Sequence, residues 1–123
     1  MKKLLLVGLM MLAGSAWAEW VFYSETDSAN FYYDPATIRK EGKMRRVWEL
    51  RNSSQRDKNG AMSTRMLLEY DCKQERFRYL GISSHSEPMA GGKVLKTEGE
   101  DNNWMDIPPD IVAQTELRIL CAK

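Results

Sequence analysis

The sequence predicts an α+β domain: a single antiparallel β-sheet with one C-terminal α-helix packed on it and tied by one disulfide. Three observations predict it. Short β-branched and aromatic runs, broken by polar turns, fill residues 20–97. A helical stripe follows the Pro108-Pro109 pair. The only two cysteines, Cys72 and Cys121, fall at the end of the longest alternating run and at the end of that stripe.

The N-terminal stretch is read as a targeting signal and set apart from the fold. Lys2 and Lys3 form a positive start, and Leu4 to Leu12 an apolar run too short to span a bilayer. Ala16-Trp17-Ala18 has the small-x-small form that a signal peptidase reads, so cleavage is expected between Ala18 and Glu19. The expected organisation is therefore a cleaved signal peptide over 1–18 and a single domain over 19–123. Leu12-Ala13-Gly14-Ser15 resembles the box before a lipid-modified cysteine, but a serine hydroxyl cannot form the thioether. The chain is expected not to be lipid-anchored, and to be periplasmic or secreted from a Gram-negative bacterium. No later segment is apolar enough to cross a membrane.

Charge narrows the partners. Loss of Lys2 and Lys3 leaves 16 of the 18 basic residues against 17 acidic ones. Such a balance argues against nucleic acid or an anionic membrane, which reward clustered positive charge.

Export also decides the cysteines. In an oxidising compartment Cys72 and Cys121 pair, and neither has the Cys-x-x-Cys spacing of a redox site. A loop of about 50 residues gives a chain-entropy stabilisation of roughly 4 kcal/mol.

Strands are expected at Trp20 to Tyr23, Asn30 to Tyr33 and Arg45 to Arg51, with turns at Asp34-Pro35 and Glu41-Gly42. Residues 52–60, NSSQRDKNG, read as a loop. From Met62 to Cys72, Met66, Leu68, Tyr70 and Cys72 share one parity, while Arg65, Glu69 and Asp71 share the other. That is a half-buried strand with its cysteine on the core side. A turn at Lys73-Gln74 leads into a strand from Glu75 to about Ser84. A register that sets residue 72 against 75 also sets Tyr70 on Phe77, Leu68 on Tyr79, Asp71 on Arg76 and Glu69 on Arg78. Slipping by one would press charges on aromatics. The paired arginines are thus expected on a neutralised, solvated sheet face, not in a basic patch.

Residues 86–92 read as a loop, Lys93 to Thr97 as a short strand and 98–103 as a polar loop. Asp110 is placed to cap a helix ending near Cys121. Ile111, Val112, Thr115 and Ile119 form its expected stripe, widened by Ala113, Leu117 and Leu120.

Reactive groups are few. His85 is the one histidine and is expected at a surface or sheet edge. Ser83 or Ser84 beside it does not make a triad, since adjacent strand residues point to opposite faces. No zinc spacing exists, and Glu98, Glu100 and Asp101 lack a calcium-loop pattern. Gly91-Gly92 is too isolated to cradle phosphate. Trp20, Trp48 and Trp104 suit sheet packing better than a carbohydrate platform. Neither an enzyme nor a cofactor or metal site is expected.

Several motifs in order resemble one family. Trp20, then Phe31-Tyr32-Tyr33-Asp34 before Thr37-Ile38, then Val47-Trp48, lead on to Glu69-Tyr70-Asp71-Cys72, Gly91-Gly92, Trp104 and the terminal Cys121. Their order and spacing resemble the surface-adhesin protein E-like family over nearly all of 19–123. The resemblance implies about six antiparallel strands, a helix held by the disulfide, a homodimer among its assemblies and, for some members, adhesion to host matrix proteins. The expected function is an exported, non-catalytic protein-binding module with an unidentified protein partner. The alternative is a periplasmic structural or envelope-maintenance homodimer joined through exposed sheet edges.

Overall fold

The computed structural model describes residues 19–101, 103–107 and 112–122. The expected signal and its cleavage at Ala18, the cap Asp110 and the stripe residue Ile111 lie partly or wholly outside that set. In chain order the strands are β1 (Val21–Glu25), β2 (Ala29–Tyr33), β3 (Arg39–Glu41), β4 (Met44–Ser53), β5 (Ser63–Asp71), β6 (Arg76–Glu87), β7 (Gly91–Glu98) and β8 (Met105–Asp106). One helix, α1 (Val112–Cys121), follows. The strands form one antiparallel sheet in the order β1-β2-β4-β5-β6-β7, with β3 paired to β4 and β8 to β6.

Each turn has a local cause. Gly42, with φ of 59°, reverses the chain between β3 and β4. Asp71 Oδ1 accepts from the backbone N–H groups of Lys73 and Gln74, which closes the β5–β6 turn. Gly92 has φ of 71°, and a Cβ there would run into Ser86 Oγ and the side chain of Glu87.

The β5–β6 hairpin has the expected pairs: Asp71 with Arg76, Tyr70 with Phe77, Glu69 with Arg78 and Leu68 with Tyr79. Beyond them the register shifts, and Leu67 lies against Gly81, so Leu80 is the extra residue of a bulge. The bulge carries the pairing on to Met66 with Ile82 and Ser63 with His85.

The core lies on the side of the sheet covered by α1. Val47, Met66, Leu68 and Tyr70 meet Leu117 and Leu120, with Tyr33, Ile38, Phe77, Tyr79, Ile82, Ile107, Ala113 and Cys121 packed around them. Cys72 and Cys121 form a disulfide with their Cα atoms 5.7 Å apart. Arg45 Nε donates to the Leu120 carbonyl, which anchors the same end of the helix.

Two expectations need correction. The helix turns Ala113, Leu117 and Leu120 inward together with Glu116, while Ile119 is 37% exposed. Of the expected stripe, Ala113, Leu117 and Leu120 face the core and Val112 and Thr115 are half-buried, so only Ile119 falls off the covered side, while Glu116 joins it. The opposite sheet face is not simply solvated either. Glu69 is 5% exposed and Asp71 fully buried. Arg46 Nε and Arg78 Nη2 clasp Glu69 at 3.0 and 2.7 Å, and Trp104 lies 4.6–4.7 Å from the guanidinium carbons of Arg76 and Arg78. Burial alone would raise the Glu69 carboxyl, yet its two arginine partners hold it below the usual carboxylate range.

Replacing Cys72 or Cys121 by serine is expected to cost about 2–5 kcal/mol by restoring freedom to a long loop in the unfolded chain. Urea unfolding with and without reductant checks this. Coincident transitions would show that α1 holds its seat without the bridge.

Candidate functional site

Beneath the start of α1 the sheet carries a cavity of about 320 Å³. Its walls follow from strand parity. β4 pairs Val47 with Leu68 and Glu49 with Met66, so these side chains share the helix-covered face. β2 places Phe31 opposite Arg51 and Tyr33 opposite Glu49. A register shift in β1 between Phe22 and Ser24 turns Tyr23 onto the same face.

Two aromatic groups result. Tyr23 packs with Phe31 and Tyr33 at centroid distances of 6.4 and 5.8 Å. Tyr70, Phe77 and Tyr79 form the second group, at 5.8 and 5.7 Å. Glu49 joins them. Tyr23 Oη donates to its Oε1 at 2.9 Å and Tyr70 Oη to its Oε2 at 3.2 Å. Met66 and Leu68 line the cavity from the sheet, and Val112 and Ala113 from the helix.

Glu49 is 3% exposed. Burial pushes its carboxyl up to about 8, and the two tyrosine hydrogen bonds only partly offset that. At neutral pH the group is therefore mostly protonated. A protonated carboxyl has one hydrogen to give, so one of the two tyrosine oxygens can accept it and keep its own hydrogen free. Burial and the neighbouring Glu49 carry the hydroxyls of Tyr23 and Tyr70 well above the usual tyrosine range. Arg51, half-buried on the same face of β4, lines the cavity with no ion pair and no side-chain hydrogen bond among the described residues.

The residues singled out from sequence are distributed differently. Cys72 and Cys121 are brought together, away from the cavity lining. His85 is buried at 7% exposure rather than lying at the surface, because the Pro88–Ala90 turn folds back over β4, β5 and β6. Its Nε2 is 2.8 Å from Ser83 Oγ, two residues away on the same face. Burial and the Arg65 guanidinium hold the imidazole below the usual histidine range. Trp48 is half-buried with Arg65 stacked 3.8 Å above it. Glu19, Glu98, Glu100 and Asp101 are exposed, and no cluster of three metal-ligating side chains occurs among the described residues. Glu49 and Tyr23 were not singled out from sequence. Their signal appears only once β4 is set against β5, which places Glu49 in line with Val47 and opposite Met66.

Glu49 gives a pH prediction of definite sign. Its folded value of about 8 exceeds its ordinary value of 4.5, so between those limits the folded state binds the extra proton. Stability should fall as pH rises through this window, by on the order of 4 kcal/mol by the upper end. Glu49→Gln should remove that fall. Urea titrations of both proteins at pH 5, 6.5 and 8 test it, and parallel pH profiles would contradict it.

Comparisons with known proteins agree with this architecture. The family described as surface-adhesin protein E matches residues 20–122. The structure resembles crystal form II of Haemophilus influenzae protein E with a TM-score of 0.69 at 13% identity, covering 87% of this chain and 90% of that one. The selenomethionine form of the same protein gives 0.68 at 13% identity, covering 87% and 88%. Protein E from non-typeable Haemophilus influenzae gives 0.61 at 15% identity, covering 81% and 74%. No curated protein matches the sequence significantly. The family match spans the described domain from its first strand to its disulfide, and the chain belongs to the surface-adhesin protein E family.

Proposed function

We propose that the chain is an exported, non-catalytic binding module that adheres to host matrix proteins by taking a partner strand onto β7. Family membership supports adhesion and export. Among the described residues no helix is long and apolar enough to cross a membrane.

The observation that carries the choice of surface is the exposure of β7. This strand is the last in the sheet order, and every residue from Gly92 to Glu98 is exposed. Val94 and Leu95 are 56% and 42% exposed, and consecutive strand residues point to opposite faces. An eight-residue edge with unpaired backbone groups and an apolar residue on each side suits an extended peptide, which gains main-chain hydrogen bonds and side-chain contacts together. Lys93 favours an acidic group on the partner segment, while Lys96 lies 4.0 Å from Glu98 of the same strand.

The double variant Val94→Lys, Leu95→Lys should weaken binding to an immobilised matrix protein tenfold or more. Its unfolding free energy should stay within about 0.5 kcal/mol of the parent, as for other exposed substitutions. Failure of the parent to bind any of a panel of matrix proteins would defeat the adhesion reading. Unchanged binding by the variant would move the contact away from β7.

Export also predicts a mass. Protein recovered from the source cells should begin at Glu19 and carry one disulfide and no lipid. External protease on intact cells should cut it. A product retaining residues 1–18, or one bearing a lipid, would contradict this reading.

A further inference from the structure

We propose that the cavity under α1 is a binding site for a small amphipathic carboxylate, its apolar body lying between the two aromatic groups and its head on Arg51. The site is separate from the adhesive edge proposed above, since no residue of β7 lines it.

The lining defines the ligand. Phe31, Met66, Leu68, Phe77 and Ala113 offer hydrocarbon and ring faces. A volume of about 320 Å³ lies near the small end of ligand pockets, which run about 300–1,000 Å³. That excludes long lipids lying wholly inside and suits a body of about ten heavy atoms.

Charge chooses the head group. Among the described residues Arg51 is the one cation in the lining; it also borders a neighbouring hollow that holds Asp27 and Asp57, but its guanidinium makes neither an ion pair nor a side-chain hydrogen bond there. An unpaired guanidinium beside an apolar cavity matches a carboxylate, which it can hold through two parallel hydrogen bonds. Glu49 would oppose an anion if it were ionised, but its carboxyl carries a proton at neutral pH. The hydroxyl hydrogen left over among Glu49, Tyr23 and Tyr70 can meet an ether, carbonyl or ring acceptor on the body. A cationic ligand fits less well, because it would meet a neutral carboxyl and the Arg51 charge together.

The test uses the disulfide-bonded domain and a homologous series from butanoate to octanoate, followed by calorimetry and amide NMR shifts. Octanoate should bind with a Kd of about 0.1–5 mM, given the efficiency of small ligands. Affinity should rise about fourfold at most for each added methylene that is fully buried. Shifts should centre on Phe31, Tyr79 and Ala113. Octylammonium should bind at least tenfold more weakly than octanoate. Arg51→Gln should weaken octanoate about tenfold or more while leaving octanol unchanged, and Arg51→Lys should restore part of the loss. Ala113→Leu, which fills the cavity from the helix side, should weaken octanoate and octanol alike. Absence of saturable binding below about 10 mM would overturn the proposal. So would octylammonium binding as tightly as octanoate, or equal octanoate affinity in the parent and Arg51→Gln.

Discussion

The constraint on which the structure depends is a mismatch between the sheet and its cover. Six strands at about 4.8 Å spacing span roughly 24 Å. The helix laid over them has ten residues, hence about 15 Å of length and a width of about 10 Å. It cannot cover that face alone. Leu117, Leu120 and Ala113 bury the middle, around Val47, Leu68 and Tyr70. The flanks are filled by aromatic side chains from the strands themselves, Tyr23, Phe31 and Tyr33 on one side and Phe77 and Tyr79 on the other. The cavity lies where those two groups fail to meet beneath the first turn of the helix. A helix this short is also marginal by itself, so its position rests on packing, the Arg45 contact and the disulfide.

The other face solves a different problem. Among the described residues it carries no helix, and its charged residues pair largely with one another. Glu69 takes two arginines, Asp71 takes two backbone N–H groups, and Trp104 lies against the guanidinium groups of Arg76 and Arg78. Those arginines are occupied, which leaves little free positive charge for a polyanion despite their number. The Pro88–Ala90 turn closes the far end of the face over Ser63: Met89 N–H donates to Asn52 Oδ1 and Ala90 N–H to Ser63 Oγ. The strand edges stay open, and β7 is exposed along nearly its whole length.

The legibility of the fold followed the strength of local pairing. The β5–β6 register was readable because two aromatic or aliphatic pairs and two charge pairs agree on one alignment. The bulge at Leu80 was not, although Gly81 beside it is the sort of residue that marks one. The helix was legible as an element, but Glu116 was missed from its buried face because it reads as a solvent residue on any hydropathy scale. His85 and Glu69 were misplaced for the same reason: hydropathy reports the cost of burying a polar group and not the partner that offsets it. Glu49 lies between Trp48 and Leu50 in sequence and shows its surroundings only through strands β1, β2 and β5. A site assembled from five strands and a helix has no local signature.

Buried acids connect stability with the candidate site. Glu49 has two tyrosine donors and no cation, and Glu116 is fully buried with neither carboxyl oxygen hydrogen-bonded among the described residues. An apolar residue at either place would suit the core better, since isolated buried carboxyls destabilise a fold. The disulfide contributes on the order of 4 kcal/mol, comparable in size to the burden expected from Glu49 at high pH. A covalent tie at the C-terminal end of α1 thus permits an acidic, incompletely filled space at the other end. Without that tie, the same polar groups would favour release of the helix and opening of the cavity. The bridge and the buried acid are best understood as two parts of one arrangement, in which the cost of the cavity is met outside its walls.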